Sequence, residues 1–342
     1  CGVNIYRKNL QPMNMYLLSE DNKSKVLKLK KLFYRISDMF FNKKLSNIFE
    51  DFINGRNYDL IHTVNNMYFL NKYTFWRIAK NNKLKVFHTI HDPSLICMRV
   101  DMDNKSSFLD YIWRCKYKKH VKYVDCCLSP SQYILDLHKK YGYNFIKNTI
   151  IFNPVVTDMK VGKFEDKDNT IIYAGTISEY KGVMTLVKSF QKINDEQELI
   201  KLKLFGEGSI KQKIKEITIN QSIEVNDFLS QEKLYEEISK VKVVVLPSEW
   251  EEAFGMILVE AVYNGTLIIG SDRGAIPEVM NKFEQFIFKA GDVDDLKSKI
   301  EYVMSLNKEE YEKIINSMQN EFKKYSSYNY VNRVENAYKE NL

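Results

Sequence analysis

Residues 243–278 read VVVLPSEWEEAFGMILVEAVYNGTLIIGSDRGAIPE, and the fold is decided there. Four apolar residues, Val243 to Leu246, are bounded by Pro247, the pattern of a short buried strand. Phe254, Ile257, Leu258, Ala261 and Val262 then recur three and four apart, which predicts a helix stopped by Gly265. Leu267 to Gly270 is a second buried strand. Strand, loop, helix, strand is the repeat of a parallel α/β sheet.

Within this unit Glu252 lies in the loop at the helix start, and Glu260 follows on the helix itself. A helix N-terminus offers free N–H groups and a positive dipole end, so it suits an anion such as phosphate. Gly255 has no side chain to keep a ligand off that backbone. A carboxylate accepts hydrogen bonds from hydroxyls, so a glutamate beside a phosphate site points to a sugar or ribose. The plainer reading is that Glu252 complements the helix dipole and that Glu260 is a solvated helix residue.

The wider pattern favours the sugar. Pro247-Ser248-x-Trp250-x-Glu252-x-Phe254-Gly255, then Glu260-Ala261, Gly265 and Gly274-x-x-Pro277-Glu278, resembles the donor-site signature of family 4 glycosyltransferases. The resemblance implies a retaining enzyme of the α/β GT-B architecture: two Rossmann-like domains whose parallel sheets face a central cleft. It covers about residues 57–325 well and 1–56 poorly, and no glycine-rich donor loop is found near the start. The first domain is therefore expected to lack its N-terminal strand, and Cys1 to mark a trimmed start.

The length suits two domains. The expected boundaries are 1–156 for the acceptor-side domain, 157–169 for a polar linker, 170–325 for the nucleotide-sugar domain, and 326–342 for a helix packing back toward the first domain. Hydrophobic content of 44% and charged content of 28% are ordinary for a globular protein. No apolar run approaches a membrane span. Five cysteines with no Cys-x-x-Cys pair suggest a reduced cytoplasmic protein without zinc. The net charge of +7 is unevenly spread. Residues 1–152 hold 26 Lys+Arg and 12 Asp+Glu, a net +14; the remainder hold 25 and 32, a net −7. Such a basic half suits an anionic surface or substrate.

A basic amphipathic helix is predicted over 23–52, either membrane-lying or core-facing. Short strands are expected at Asp59–His62, followed by polar Asn65 and Asn66, and at Lys85–His91, and Cys1–Tyr6 reads as the end of another. His62 and His91 are placed at strand carboxyl ends, where ligands gather in open sheets. The resemblance implies that His91, followed by Asp92, faces the donor sugar. Asp101-x-Asp103 lies in a polar loop and reads as a chance match to a metal motif. A basic run, Arg114, Lys116, Lys118, Lys119 and Lys122, is interleaved with Trp113, Tyr117 and Tyr123. Nucleic acid or a solvated helix face would explain it equally, and no nucleic-acid motif accompanies it.

The second domain opens with a strand ending at Gly175, then Thr176 to Gly182 and a helix. A glycine-bounded loop before a helix is an anion site, and Lys181 supplies charge. Where the family carries an arginine on the diphosphate, this chain has Thr176; Arg273 is a candidate substitute. Gly206-Glu207-Gly208 follows another strand and, by the resemblance, borders the nucleotide. Phe228 is followed by Leu229-Ser230, where the family often has glycine.

The expected catalytic residues are thus Glu252, His91 and Lys181. Donor-binding residues are Glu260, Gly255, Phe254, Met256, Ile257, Gly175, Thr176, Gly206 and Gly208. The donor is a nucleoside-diphosphate sugar, and no cofactor or metal is expected. The acceptor is a glycan or lipid-linked molecule, as in surface polysaccharide or glycolipid synthesis. An anionic membrane at the inner face is the expected surface, with no nucleic acid. Two further readings stand beside this one: a non-catalytic relative binding a nucleotide sugar or partner enzyme, and an epimerase or phosphorylase on the same fold.

Overall fold

The computed structural model describes residues 43–54, 57–64, 72–97, 108–155, 161–194, 200–218 and 222–342. The expectations for Cys1–Tyr6, for the 23–52 helix ahead of Lys43, for Asn65 and Asn66, for Asp101 and Asp103, and for linker positions 157–160 fall outside these residues.

Two compact units are present. One comprises Cys1–Pro130, Ile134–Ile151 and Asn332–Leu342; the other comprises Ser131–Tyr133 and Phe152–Val331. In the first, helix α1 (Lys43–Asn54) precedes β1 (Leu60–Val64), α2 (Lys72–Asn81), β2 (Lys85–Thr89), α3 (Phe108–His120), β3 (Cys126–Ser129), α4 (Gln132–Lys140) and β4 (Asn148–Ile150). The four strands form a parallel sheet in the order β1-β2-β3-β4. Trp76, Trp113, Tyr117 and Phe87 are fully buried around it. Two of the aromatic residues interleaved with the basic run, Trp113 and Tyr117, therefore belong to the core.

The second unit carries β5 (Asp168–Ala174), α5 (Val183–Asn194), β6 (Lys201–Phe205), α6 (Lys211–Ile217), β7 (Ile223–Asn226), α7 (Gln231–Ser239) and β8 (Val241–Leu246). It continues with α8 (Met256–Tyr263), β9 (Leu267–Ser271), α9 (Ile276–Val279), β10 (Ile287–Phe288), α10 (Val293–Ser305), α11 (Lys308–Phe322) and α12 (Ser327–Lys339). The last turns of α12 group with the first unit. β5 begins at Asp168, so the end of the expected linker is already strand.

The second sheet is parallel throughout, in the order β10-β9-β8-β5-β6-β7. From β5 the chain builds outward through β6 and β7, then returns to the other side through β8, β9 and β10. Strand order thus reverses between β5 and β8, which pair through Ile171 with Val243 and Ile172 with Val244. The crevice at such a reversal is where open α/β sheets hold ligands. Helix α8, MILVEAVY, buries Leu258, Val259, Ala261 and Val262 beneath the sheet. Glu260 is the one charged residue in that otherwise apolar helix.

Candidate functional site

The loop after β5 runs through Gly175–Ser178, a 3-10 turn at Glu179–Lys181, and Gly182 in the left-handed region (φ 67°) before α5. The loop after β8 runs from Pro247 to Gly255, the left-handed residue that opens α8. Between these loops the Lys181 ammonium donates to Glu252 Oε1 at 2.5 Å. Their side chains are only 20% and 15% exposed, so the pair is screened from water far more than a surface ion pair.

Two glycines hold this pair. A Cβ on Gly182, the residue after Lys181, would stand 1.8 Å from the Pro247 carbonyl oxygen. The Glu249 N–H also donates to the Tyr180 carbonyl at 3.0 Å, closing the two loops on each other. A Cβ on Gly274 (φ 59°) would lie 2.3 Å from the Glu252 nitrogen. The next N–H, of Ala275, donates to the Glu252 carbonyl at 2.7 Å. A side chain at either position meets backbone that cannot swing away, in a conformation that costs non-glycine residues of order 1–3 kcal/mol. Gly182→Ala and Gly274→Ala are each expected to lower unfolding stability by about 2 kcal/mol or more, checked by denaturant titration.

Around the pair, Tyr173 donates its hydroxyl to the Thr176 carbonyl at 2.7 Å. Burial, reinforced by the nearby charges of Glu252 and Tyr180, holds the Tyr173 phenol far above its usual range, so it stays a neutral donor. Thr176 itself is exposed. Arg273, the candidate for the missing cation, is half-exposed and lies near Glu251. Burial raises the Glu251 carboxyl, and the Arg273 charge opposes that rise.

Glu260 is not a solvated helix residue. Burial raises its carboxyl above the ordinary range, while hydrogen bonds from Tyr235 and Gln231 counter the shift. The Tyr235 hydroxyl donates to Glu260 Oε1 at 3.1 Å. A carboxylate drawn into an apolar helix is costly unless something polar meets it, and a tyrosine that is itself hydrogen-bonded to Gln231 meets only part of its capacity. Tyr235 and Gln231 were not foreseen: they sit on α7, and no local pattern links that helix to Glu260.

The remaining expected positions divide. Met256 and Ile257 stand half-buried at the start of α8, whose first N–H groups have no side-chain cap. Gly175 is exposed on the β5 loop. The Phe254 side chain is core, 2% exposed and stacked between Phe152 and Tyr325, so it is not presented to a ligand. Gly206 and Gly208 are pressed on the β5 loop: a Cβ would lie 1.9 Å from the Gly175 carbonyl oxygen in one case and 2.2 Å from that of Ile177 in the other. Protein backbone, rather than open space, accounts for both glycines. His91 belongs to the first unit, two residues beyond β2. His62 was expected at a strand end, but it lies in the middle of β1, because that strand runs on to Val64. There it contacts Tyr338 Oη and Thr89 Oγ1 at 2.5 and 2.7 Å.

Among the described residues, no group of three His, Cys, Asp or Glu side chains could hold a metal ion. A cavity of about 660 Å³ lies elsewhere in the second unit, at the amino ends of the strands, lined by Gly162, Phe164, Gly265, Tyr311 and Gln319.

Residues 156–321 match the family described as Glycosyl transferases group 1, and residues 22–159 match Glycosyltransferase Family 4. Together the two models span residues 22–321, and both describe glycosyltransferases. The chain is 27% identical over 285 residues to an uncharacterized 42.6 kDa protein in the cps region of Klebsiella pneumoniae, covering 79% of this chain and 72% of that one. It is 28% identical over 119 residues to a lipopolysaccharide 1,2-N-acetylglucosaminetransferase of Salmonella typhimurium, covering 32% and 31%. Its fold is GT-B. Sucrose-phosphate synthase from Thermosynechococcus elongatus superposes with a TM-score of 0.71 at 15% identity, covering 87% of this chain and 77% of that one. The Anabaena protein Alr3699/HepE, solved with UDP and glucose, superposes with a TM-score of 0.70 at 13% identity, covering 87% and 80%.

Proposed function

We propose that this glycosyltransferase moves a hexosyl unit from a nucleoside-diphosphate sugar to a glycan or lipid-linked acceptor, with retention of configuration. The observation that carries this reading is the Lys181–Glu252 pair, held at the strand-order reversal beside the uncapped start of α8. Breaking the glycosidic bond leaves positive charge on the sugar and negative charge on the departing diphosphate. Lys181 and the N–H groups at Met256 and Ile257 are oriented donors for that anion, and fixed donors of this kind stabilise developing charge without reorganising. Glu252, released from Lys181, accepts from a hydroxyl of the transferred sugar. Glu260 accepts from the ribose hydroxyls. His91, in the first unit, is proposed to meet a sugar hydroxyl. These groups carry the charge of the reaction without a metal. The relatives named for a cps region and for lipopolysaccharide support a role in surface polysaccharide or glycolipid synthesis. The UDP bound by the Anabaena protein supports a nucleotide donor.

Calorimetry with a panel of nucleoside-diphosphate sugars tests the reading. One donor is expected to bind, and Glu260→Ala is expected to weaken it roughly ten- to a hundredfold, the loss of a charged hydrogen bond. A folded protein that binds no donor, or a variant that binds as well as the parent, would count against it.

A further inference from the structure

Trp250 has no part in the reading above, and its setting differs from that of the other two tryptophans. Trp76 and Trp113 are buried, and their indole N–H groups donate to Thr63 Oγ1 at 2.9 Å and to the Ser94 carbonyl at 3.0 Å. Trp250 is half-buried on the loop after β8, and among the described residues nothing accepts from its indole N–H. A tryptophan left partly in water keeps a flat apolar face and a donor available to a ligand. The loop that presents it is fixed from several sides. The Glu249 N–H donates to the Tyr180 carbonyl at 3.0 Å, and the Thr185 hydroxyl donates to Glu249 Oε1 at 2.7 Å. The Glu252 N–H closes a three-residue turn on the Trp250 carbonyl at 2.8 Å. The indole and the Glu252 carboxylate thus leave opposite ends of one tight turn. Trp250 meets the Tyr180 ring edge to face with centroids 5.6 Å apart, and the Lys181 ammonium lies 5.8 Å from the centre of that Tyr180 ring.

We propose that Trp250 is the stacking platform for the transferred sugar, which it receives as an uncharged hexopyranosyl group. The inference rests on the transfer reading and adds to it the contact that reads the sugar. A pyranose offers hydroxyls around its rim and C–H bonds over its faces. Glu252 and Lys181 answer only the rim and the diphosphate. The face needs an apolar plane, and small-ligand sites combine aromatic walls with a few placed polar groups. Trp250 supplies that plane from the same turn as Glu252, and its N–H is a donor for a rim hydroxyl. Charge sets the class of sugar. Glu249, Glu251 and Glu252 flank the ring along the loop, with Lys181 against Glu252 and Arg273 near Glu251. A neutral hexosyl group meets no penalty there, whereas the carboxylate of a uronosyl group would approach like charges.

Calorimetry with UDP, GDP, ADP and dTDP, each alone and as its neutral hexose conjugates, is the test on the parent, Trp250→Phe and Trp250→Ala. The parent is expected to bind one diphosphate, and to bind a hexose conjugate of it more tightly than the uronate conjugate of the same nucleotide. Trp250→Ala should weaken the hexose conjugate roughly tenfold and leave the bare diphosphate unchanged, and Trp250→Phe, which keeps an aromatic face, should fall between. Tryptophan fluorescence of the parent should change when the conjugate binds and not when the diphosphate does. That change should vanish in Trp250→Phe, because Trp76 and Trp113 are buried in the first unit. In Trp250→Ala, equal weakening of diphosphate and conjugate, or weakening of neither, would overturn the proposal and leave the nucleotide site standing. A uronate conjugate bound as tightly as the hexose conjugate would overturn it too. A folded parent that binds none of the diphosphates would instead overturn the transfer reading, and this inference with it.

Discussion

Lys181→Ala is expected to slow glycosyl transfer about 10²–10³-fold, the cost of removing one fixed donor aimed at developing charge. Glu252→Gln is expected to slow it comparably, yet to tighten the binding of free nucleoside diphosphate. The second expectation comes from the 2.5 Å contact between the two side chains. As the site stands, the Lys181 cation is already neutralised, so an incoming diphosphate must displace Glu252 before it gains that charge. Glutamine keeps the shape but gives up the competing charge. If the half-buried pair is worth about 1 kcal/mol, its removal tightens diphosphate binding roughly fivefold. With the sugar attached the gain disappears, because the displaced carboxylate then has a hydroxyl to accept. Calorimetry with nucleoside diphosphate and with the intact donor separates the two. Equal diphosphate affinities in parent and Glu252→Gln would mean that the pair does not gate the site. An unimpaired rate in Lys181→Ala would remove the cation from the mechanism.

The unit holding that pair was legible because its chemistry is local. Val243–Leu246, the helix spacing and the two glutamates lie in a single stretch, and strand, loop and helix follow from the switch between a buried apolar run and a period of three to four. Strand order is not local. Nothing within the Gly175–Gly182 segment announces that its strand neighbours β8, so Lys181 and Glu252 could be assigned separate tasks but not seen to neutralise each other. Glycines show the same limit. Gly206 and Gly208 read as places for a ligand to approach, because a missing side chain looks the same in sequence whether a nucleotide or another loop fills the space. The Gly175 and Ile177 carbonyls, brought in by another loop, occupy the space a Cβ at these positions would need. Phe254 sits within the donor motif, yet its ring joins Phe152 and Tyr325, residues far from it in sequence. The core positions of Trp113 and Tyr117 on α3 were hidden for a related reason. The alternation of basic and aromatic residues was visible, but which aromatics turn inward depends on the phase of the helix against its sheet.

Acid is expected to destabilise the first unit through His62. Enclosed by Tyr338 and Thr89, this imidazole is pushed down to about 4, by burial first and by the charge of His91 second. The folded value lies below the unfolded one near 6.5, so between the two the unfolded chain binds the extra proton. Stability linked to His62 is therefore fully present above pH 6.5 and drains away as pH falls toward 4. A shift of this size, discounted for partial exposure, amounts to about 2–3 kcal/mol. Protonation also ends the acceptor role of whichever ring nitrogen is unprotonated, so the contacts to Tyr338 on α12 and Thr89 on β2 cannot both survive unless the hydroxyls turn. The three tryptophans allow a clean measurement. Trp76 and Trp113 are buried in the first unit and Trp250 lies in the second, so in a Trp250→Phe background fluorescence reports the first unit alone. Urea titrations at neutral pH and near pH 4 should show the parent losing about 2–3 kcal/mol more than His62→Gln, which keeps a donor and an acceptor but does not titrate. Parallel losses in the two proteins would place the acid sensitivity elsewhere and leave His62 with a purely steric role between β1 and the last turns of α12.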